Sequence, residues 1–175
     1  MNQIKTINIM IYSLLVYLLG CFQHAEHEKF LIPENFTGTI VIFFDQKGSP
    51  IEYNQDSIRI YRVPDNGVLK SGLPRAKGVL NQKFYYVDST GSILKELKYT
   101  VDVPNQKQKK ETYVYGIFDG KMTINPDVNV ARTKYSNTKS KKVDYIYFSV
   151  GDLRMMEENI EKSHSRIEQV IKEMK

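Results

Sequence analysis

Hydrophobic and polar positions along the chain fall into three regimes. Ile7 to Leu19 is an uncharged, mainly apolar run, interrupted at Asn8 and Ser13, behind a single charge at Lys5. From Thr39 to Val150 the apolar residues come in short β-branched and aromatic runs separated by turn-forming clusters, the pattern of strands. Thr39 to Phe44, Ser57 to Val63, Phe84 to Val87, Thr112 to Phe118 and Val143 to Val150 are the predicted strands. Val68 and Leu69 begin a returning strand after Pro64-Asp65-Asn66-Gly67, where proline presets one turn angle and Asn-Gly tolerates positive φ. Ile93 to Val103 reads both ways, since Leu94 and Leu97 permit a helical turn while Tyr99-Thr100-Val101 before Pro104 prefers a strand.

From Gly151 the period changes. Leu153, Met156, Ile160, Ser163, Ile167, Val170 and Met174 recur at spacings of three and four, one stripe of an amphipathic helix, with Asp152 placed to favour the helix dipole. Ile40, Ile42 and Phe44 alternate with Val41 and Phe43, so this strand is apolar on both faces, and Tyr145 to Val150 shows the same pattern. A strand with one face in water alternates with polar residues instead. The C-terminal helix is therefore expected to cover the second face of one sheet, and the fold expected is mostly β: an Ig-like or transthyretin-like antiparallel β-sandwich with one helix packed on it.

The opening segment has a basic start, an apolar core and Gly20 at its exit, the layout of a secretory signal. It is short for a membrane span, since ~30 Å of hydrocarbon takes ~20 apolar residues. Cys21 is the only cysteine, so no internal disulfide can form and its place directly after the apolar run needs another reason. Leu18-Leu19-Gly20-Cys21 resembles the lipobox of bacterial lipoproteins, in which the cysteine thiol receives diacylglycerol and the chain is cut just before it. The resemblance implies an acylated Cys21, a lipid bilayer as partner and a place in the bacterial cell envelope. Two acyl chains hold a protein stably where one does not. Phe22, not Asp, follows the cysteine, which by the same resemblance favours the outer membrane in a host with two. The expected layout is a signal peptide over 1–20, an acylated polar tether over 21–29, a β domain over 30–150 and the helix over 151–175.

Two further likenesses concern the body. Phe30-Leu31-Ile32-Pro33-Glu34-Asn35-Phe36-Thr37-Gly38, followed after a strand by Arg62-Val63-Pro64-Asp65-Asn66-Gly67-Val68, is similar over Phe30 to Gly91 to an uncharacterised family of bacterial β domains, which implies no activity. A Gly-led strand followed by a turn is more weakly similar to transthyretin-like sandwiches, a likeness of fold alone.

Composition narrows the function classes. The chain carries 41% hydrophobic and 26% charged residues with a net charge of +5, a globular composition. Its bases are mostly interleaved with acids, which together with export argues against nucleic acid as partner. Ala131 to Lys142 is the exception: Arg132, Lys134, Lys139, Lys141 and Lys142 stand there without an acid. Read functionally, they are a contact for anionic headgroups or an acidic envelope protein; read plainly, they are a solvated loop.

His24-x-x-His27 has metal-ligand spacing, but it lies in the expected tether, so neither a metal nor a cofactor is expected. No nucleophile elbow, zinc-protease pair, phosphate loop or dinucleotide fingerprint is present. Of the three histidines, none lies in the predicted β body. Tyr113 with Tyr115, and Tyr145 with Tyr147, form same-face pairs that could make a binding platform, although a chain without tryptophan is poorly equipped to hold sugars. The reading is a monomeric, non-enzymatic binding or structural module. The alternatives are an envelope hydrolase using carboxylates or tyrosines in a cleft, and a subunit of an envelope assembly.

Overall fold

The computed structural model describes residues 24–77, 79–101, 111–124 and 141–173. Among the described residues there are eight strands: β1 (His24–Pro33), β2 (Gly38–Phe43), β3 (Arg59–Arg62), β4 (Val68–Lys70), β5 (Val79–Val87), β6 (Ile93–Tyr99), β7 (Thr112–Ile124) and β8 (Lys141–Asp152). A short 3-10 turn, Leu153–Met155, leads into α1 (Met156–Glu173).

The strands form one continuous sheet in the order β3-β1-β5-β6-β7-β8-β2-β4. It curls until its halves face each other and is nearly barrel-shaped. Phe30 on β1 stacks on Tyr61 of β3 at 4.9 Å and on Phe84 of β5 at 4.8 Å. From the other half of the sheet, Phe148 on β8 meets the edges of both Phe30 and Phe84, at 5.5 and 5.2 Å. Ile32, Ile40, Ile42, Phe44, Val114 and Ile146 complete this interior.

The expected antiparallel sandwich is not what the pairing describes. Four of the strand pairs, β1–β3, β1–β5, β6–β7 and β2–β4, are parallel. The expected hairpin through Pro64 to Gly67 is also corrected: the turn forms, with Gly67 at φ 73°, but β3 and β4 go to opposite edges of the sheet. Gly67 has no room for a side chain, since a Cβ there would sit 2.8 Å from the Thr39 carbonyl. The turn packs against the start of β2 and sends β4 along β2 in parallel, with the Val41 amide bonded to the Gly67 carbonyl at 2.8 Å.

The outer face of β2 and β8 carries the helix. Val41, Phe43, Val143 and Tyr147 bury against Ile167 and Val170 of α1, which matches the apolar-on-both-faces pattern of those strands. Asp152 begins the turn into α1, accepting the Arg154 amide at 2.9 Å and pairing with its guanidinium. These donors hold its carboxyl below the usual range.

Gly116, at φ 62°, inserts one extra residue in β7 between the Tyr115–Ser149 and Phe118–Tyr147 pairs. This bulge reverses the alternation. Before it, Tyr113 and Tyr115 lie on the helix side; after it, Ile117 turns inward while Phe118 and Met122 take the helix side.

Candidate functional site: a buried charged cluster and its rim

On β1, Glu28, Phe30 and Ile32 alternate toward the interior, and all three are fully buried. Phe30 lies level with Tyr61 and Phe84 in the aromatic row, while two residues earlier the register sets Glu28 beside Arg59 on β3 and Gln82 on β5. The interior thus ends, on the side where β1 begins, in a row of charge and amide.

A carboxylate removed from water is tolerated only when its oxygens are occupied. Glu28 meets that condition. The Tyr61 hydroxyl donates to its Oε1 at 3.0 Å and the Gln82 amide to Oε2 at 2.8 Å. The Arg75 guanidinium stands 3.7 Å from Oε2 and lies over the Phe44 ring at 5.3 Å. Arg59, 6% exposed, donates to the Pro74 carbonyl, tying the loop between β4 and β5 to the cluster. Arg75 Nη1 is enclosed, with no hydrogen-bond partner among the described residues, so its pairing with Glu28 is one of charge rather than of a made bond.

Burial, and then the charge of Glu28, push the Tyr61 hydroxyl well above its ordinary range. Tyr61 is therefore a held proton donor and a poor nucleophile. With both carboxylate oxygens occupied, the cluster is built to keep charge in place at the end of the core rather than to pass a proton to a substrate.

Outside the cluster, Arg75 borders a concavity of about 300 Å³ shared by Lys77, Lys121, Asp45, Asp119 and Asp144. Lys121 and Asp144 pair there at 3.4 Å. At the opposite end of the sheet a larger, open concavity of about 740 Å³ has Leu31, Val63 and Val87 in its lining, with Glu34, Arg62, Asp65 and Asp88. Two of its charged groups, Arg62 and Asp88, are engaged elsewhere. Arg62 forks onto Glu52 at 3.0 and 2.7 Å. Asp88 Oδ1 accepts the Thr90 hydroxyl and the Thr90 and Ser92 amides at 2.6 to 2.9 Å, donors that hold its carboxyl below the usual range. The smaller concavity, beside the buried cluster, is the better candidate.

The residues singled out from the sequence are dispersed. Cys21, Arg132, Lys134, Lys139 and Met174 lie outside the described residues, as do the signal segment and the loop carrying Lys107, Lys109 and Lys110. Lys141 and Lys142 are exposed at the start of β8, paired in register with Ile124 and Thr123. The tether expected over 21–29 is corrected from His24 onward: that stretch is the first half of β1, because Glu28 and the backbone around it find partners on β3 and β5. His27 meets the Asn81 amide at 3.0 Å, and among the described residues no group of His, Cys, Asp and Glu could hold a metal.

The tyrosine pairs do share a face, but it is the helix side. Tyr115 is fully buried, with its hydroxyl accepting from Asn159 at 2.6 Å, and Tyr147 meets the edge of His164 at 6.0 Å. They support the helix more than they offer a platform. Sequence reasoning missed Glu28, Arg59, Arg75 and Gln82. The signal was there in part: Glu28-x-Phe30-x-Ile32 and Arg59-x-Tyr61-x-Val63 each carry the inward alternation one step past its apolar members.

Fold and site together define a mostly β domain with one C-terminal helix packed on its sheet and a charged cluster closing one end of the interior. The chain belongs to DUF6843, a family of unknown function, whose model matches residues 24–160. That match opens on the first residue of β1 and ends inside α1, and it agrees with the expected likeness to an uncharacterised β-domain family. No curated protein matches the chain. A crystal structure described as a "Putative Lipoprotein from Bacillus anthracis" is similar at 13% identity with a TM-score of 0.47, covering 71% of each chain, a level of likeness that carries no functional argument.

Proposed function

We propose that this protein is a lipid-anchored component of a bacterial envelope, held through Cys21, whose β domain is a non-enzymatic binding or structural module. The observation that carries the reading is Leu18-Leu19-Gly20-Cys21 behind a secretory-type apolar run, with the first strand of a separately organised domain beginning three residues later at His24. Among the described residues no helix is long and apolar enough to cross a membrane, so α1 does not compete with Cys21 as an attachment. The buried cluster supports a non-catalytic role, because both Glu28 oxygens already accept hydrogen bonds from Tyr61 and Gln82. By the lipobox resemblance, Phe22 favours the outer membrane where the host has two.

The test is metabolic labelling with palmitate, and mass spectrometry of the amino terminus, for the natural chain and for Cys21→Ser. Label and diacylglyceryl mass on Cys21, both lost in the variant, are expected. An unmodified thiol, or label that persists in Cys21→Ser, ends the lipoprotein reading.

A second reading, a subunit of an envelope assembly, draws on the apolar side chains left open along and after β6. Ile93, Leu94, Tyr99 and Val101 are 47 to 68% exposed. Crosslinking from a photoreactive residue at Leu94 in the native envelope tests it, and the absence of any discrete adduct removes it.

A further inference from the structure

We propose that the end of the sheet where β1 begins is a basic docking face that lies flat on an anionic phospholipid surface, leaving the opposite end, with its open concavity, directed away from the membrane. The inference rests on the reading of Cys21 as a lipid anchor and adds an orientation to it.

Strand directions carry the first step. β1 pairs in parallel with β3 and β5, so all three start at one end. Following the pairings through β6, β7, β8 and β2, that same end is where β2, β4 and β7 finish and β8 starts. The basic side chains gather there. Lys70 ends β4, Lys77 precedes the Val79 that pairs with His24, and Lys121, Lys141 and Lys142 stand on the far reach of the β7–β8 hairpin; all five are exposed. Asp45, Asp119 and Asp144 sit among them, one already paired with Lys121, and the β2–β3 connection at the same end adds exposed Lys47 and Asp56, so six lysines stand against four aspartates and cationic charge is in excess. At the other end the lining is acidic, with Glu34, Asp65 and Asp88 against Arg62, which Glu52 already occupies.

Distance carries the second step. Three residues from Cys21 to His24 span at most about 11 Å even fully extended. The Debye length at physiological salt is about 8 Å. A nine-residue tether would let the domain drift about four Debye lengths from headgroup charge; a three-residue one limits that drift to about 11 Å, little more than one Debye length. Arg132, Lys134 and Lys139 belong by sequence to the connection between β7 and β8, and they add to the sign of the charge without being needed for the geometry.

The experiment uses the full chain purified with its native modification and incorporated into vesicles of phosphatidylcholine alone or of equal parts phosphatidylcholine and phosphatidylglycerol. Two readouts separate the two claims. Flotation with neutral vesicles reads the anchor. Amine-labelling rates, resolved by residue, read the orientation, with Lys95 as the reference, since it lies on β6 away from the basic end. The expected result is flotation in both vesicles, with Lys77, Lys121 and Lys142 labelled about fivefold more slowly on the anionic surface and Lys95 unchanged. The triple variant Lys77→Glu, Lys121→Glu, Lys142→Glu, which alters only exposed side chains, should still float, with Lys70 and Lys141 then labelled equally on both surfaces. Flotation with equal labelling of Lys77, Lys121 and Lys142 on the two surfaces, or slowing at Lys95 instead, overturns the orientation while leaving the anchor intact. Failure to float with neutral vesicles overturns the anchor, and the docking face with it.

Discussion

Glu28 is the residue on which the β1 end of the interior depends, and Glu28→Ala gives the sharpest test of that statement. The carboxylate is fully buried and 3.7 Å from the Arg75 guanidinium. At that separation, with an effective dielectric constant near 20, the attraction is about 4 kcal/mol before desolvation is charged against it. Two hydrogen bonds to a charged acceptor, from Tyr61 and Gln82, are each worth about 1.5 to 3 kcal/mol. The truncated protein recovers the cost of burying Glu28 but leaves the Tyr61 hydroxyl, the Gln82 amide and the Arg75 charge without it. Breaking such a pair typically costs about 3 to 5 kcal/mol, and that is the loss expected here. Because the chain has no tryptophan, unfolding in urea is followed by far-UV circular dichroism. With a slope near 2 kcal/mol per molar urea, the midpoint should fall by about 2 M. Glu28→Gln keeps an acceptor for Tyr61 and should lose about half as much. The cycle formed with Tyr61→Phe should show a coupling of about 1 to 2 kcal/mol, since the two side chains share one bond. A midpoint shift below about 0.5 M for Glu28→Ala, or additivity within error in the cycle, would mean that the cluster contributes no more than a solvated surface pair.

Three further outcomes follow from the same structure. Tyr61 is pushed up from 10.0 by burial and by Glu28, so its contribution is whole below pH 10 and drains away as the pH rises through the folded value; the natural chain should lose up to about 1.4 kcal/mol of stability per pH unit there from this group, and Tyr61→Phe should show a shallower alkaline decline in the same titration. Gly116→Ala places a side chain at φ 62° where its Cβ would make only ordinary contacts of 3.5 Å with Ile160 and Phe118, so the loss, about 1 to 2 kcal/mol, is one of backbone conformation and should appear in urea midpoints; no loss would mean the bulge relaxes freely. Ile167→Ala should cost about 2 to 4 kcal/mol and speed amide exchange in α1 above that in β1, because Ile167 and Val170 pin the helix to Val41 and Phe43; uniform exchange across helix and sheet would show that α1 does not open on its own.

The elements most legible in the sequence were those whose partners leave a mark on their own side chains. β2 and β8 are apolar on both faces because one face meets the interior and the other meets α1, and the three-four stripe of α1 repeats the fact from the other side. Topology left no such mark. The turn at Pro64 to Gly67 has hairpin chemistry, yet the Gly67 carbonyl is captured by β2, and the strand after it follows. The bulge at Gly116 was equally silent, since glycine in a strand of tyrosines reads as a weakness and not as a reversal of faces.

The first half of β1 shows most clearly why the charged cluster escaped notice. His24 to Lys29 contains one small apolar residue among polar ones, and by composition it belongs to a linker. What makes it a strand lies 33 and 54 residues away, in the Tyr61 hydroxyl and the Gln82 amide that receive Glu28, and no local pattern encodes a partner at that distance. The consequence is mechanical as well as topological. Under the proposed anchoring at Cys21, a linker of nine residues would make the domain's position independent of its attachment, whereas a strand beginning three residues beyond Cys21 would tie the two together. On the proposal that Cys21 is lipid-anchored, the buried bonds of Glu28 then serve a second purpose: by holding the first strand against Tyr61 of β3 and Gln82 of β5, they fix which end of the domain would face the membrane.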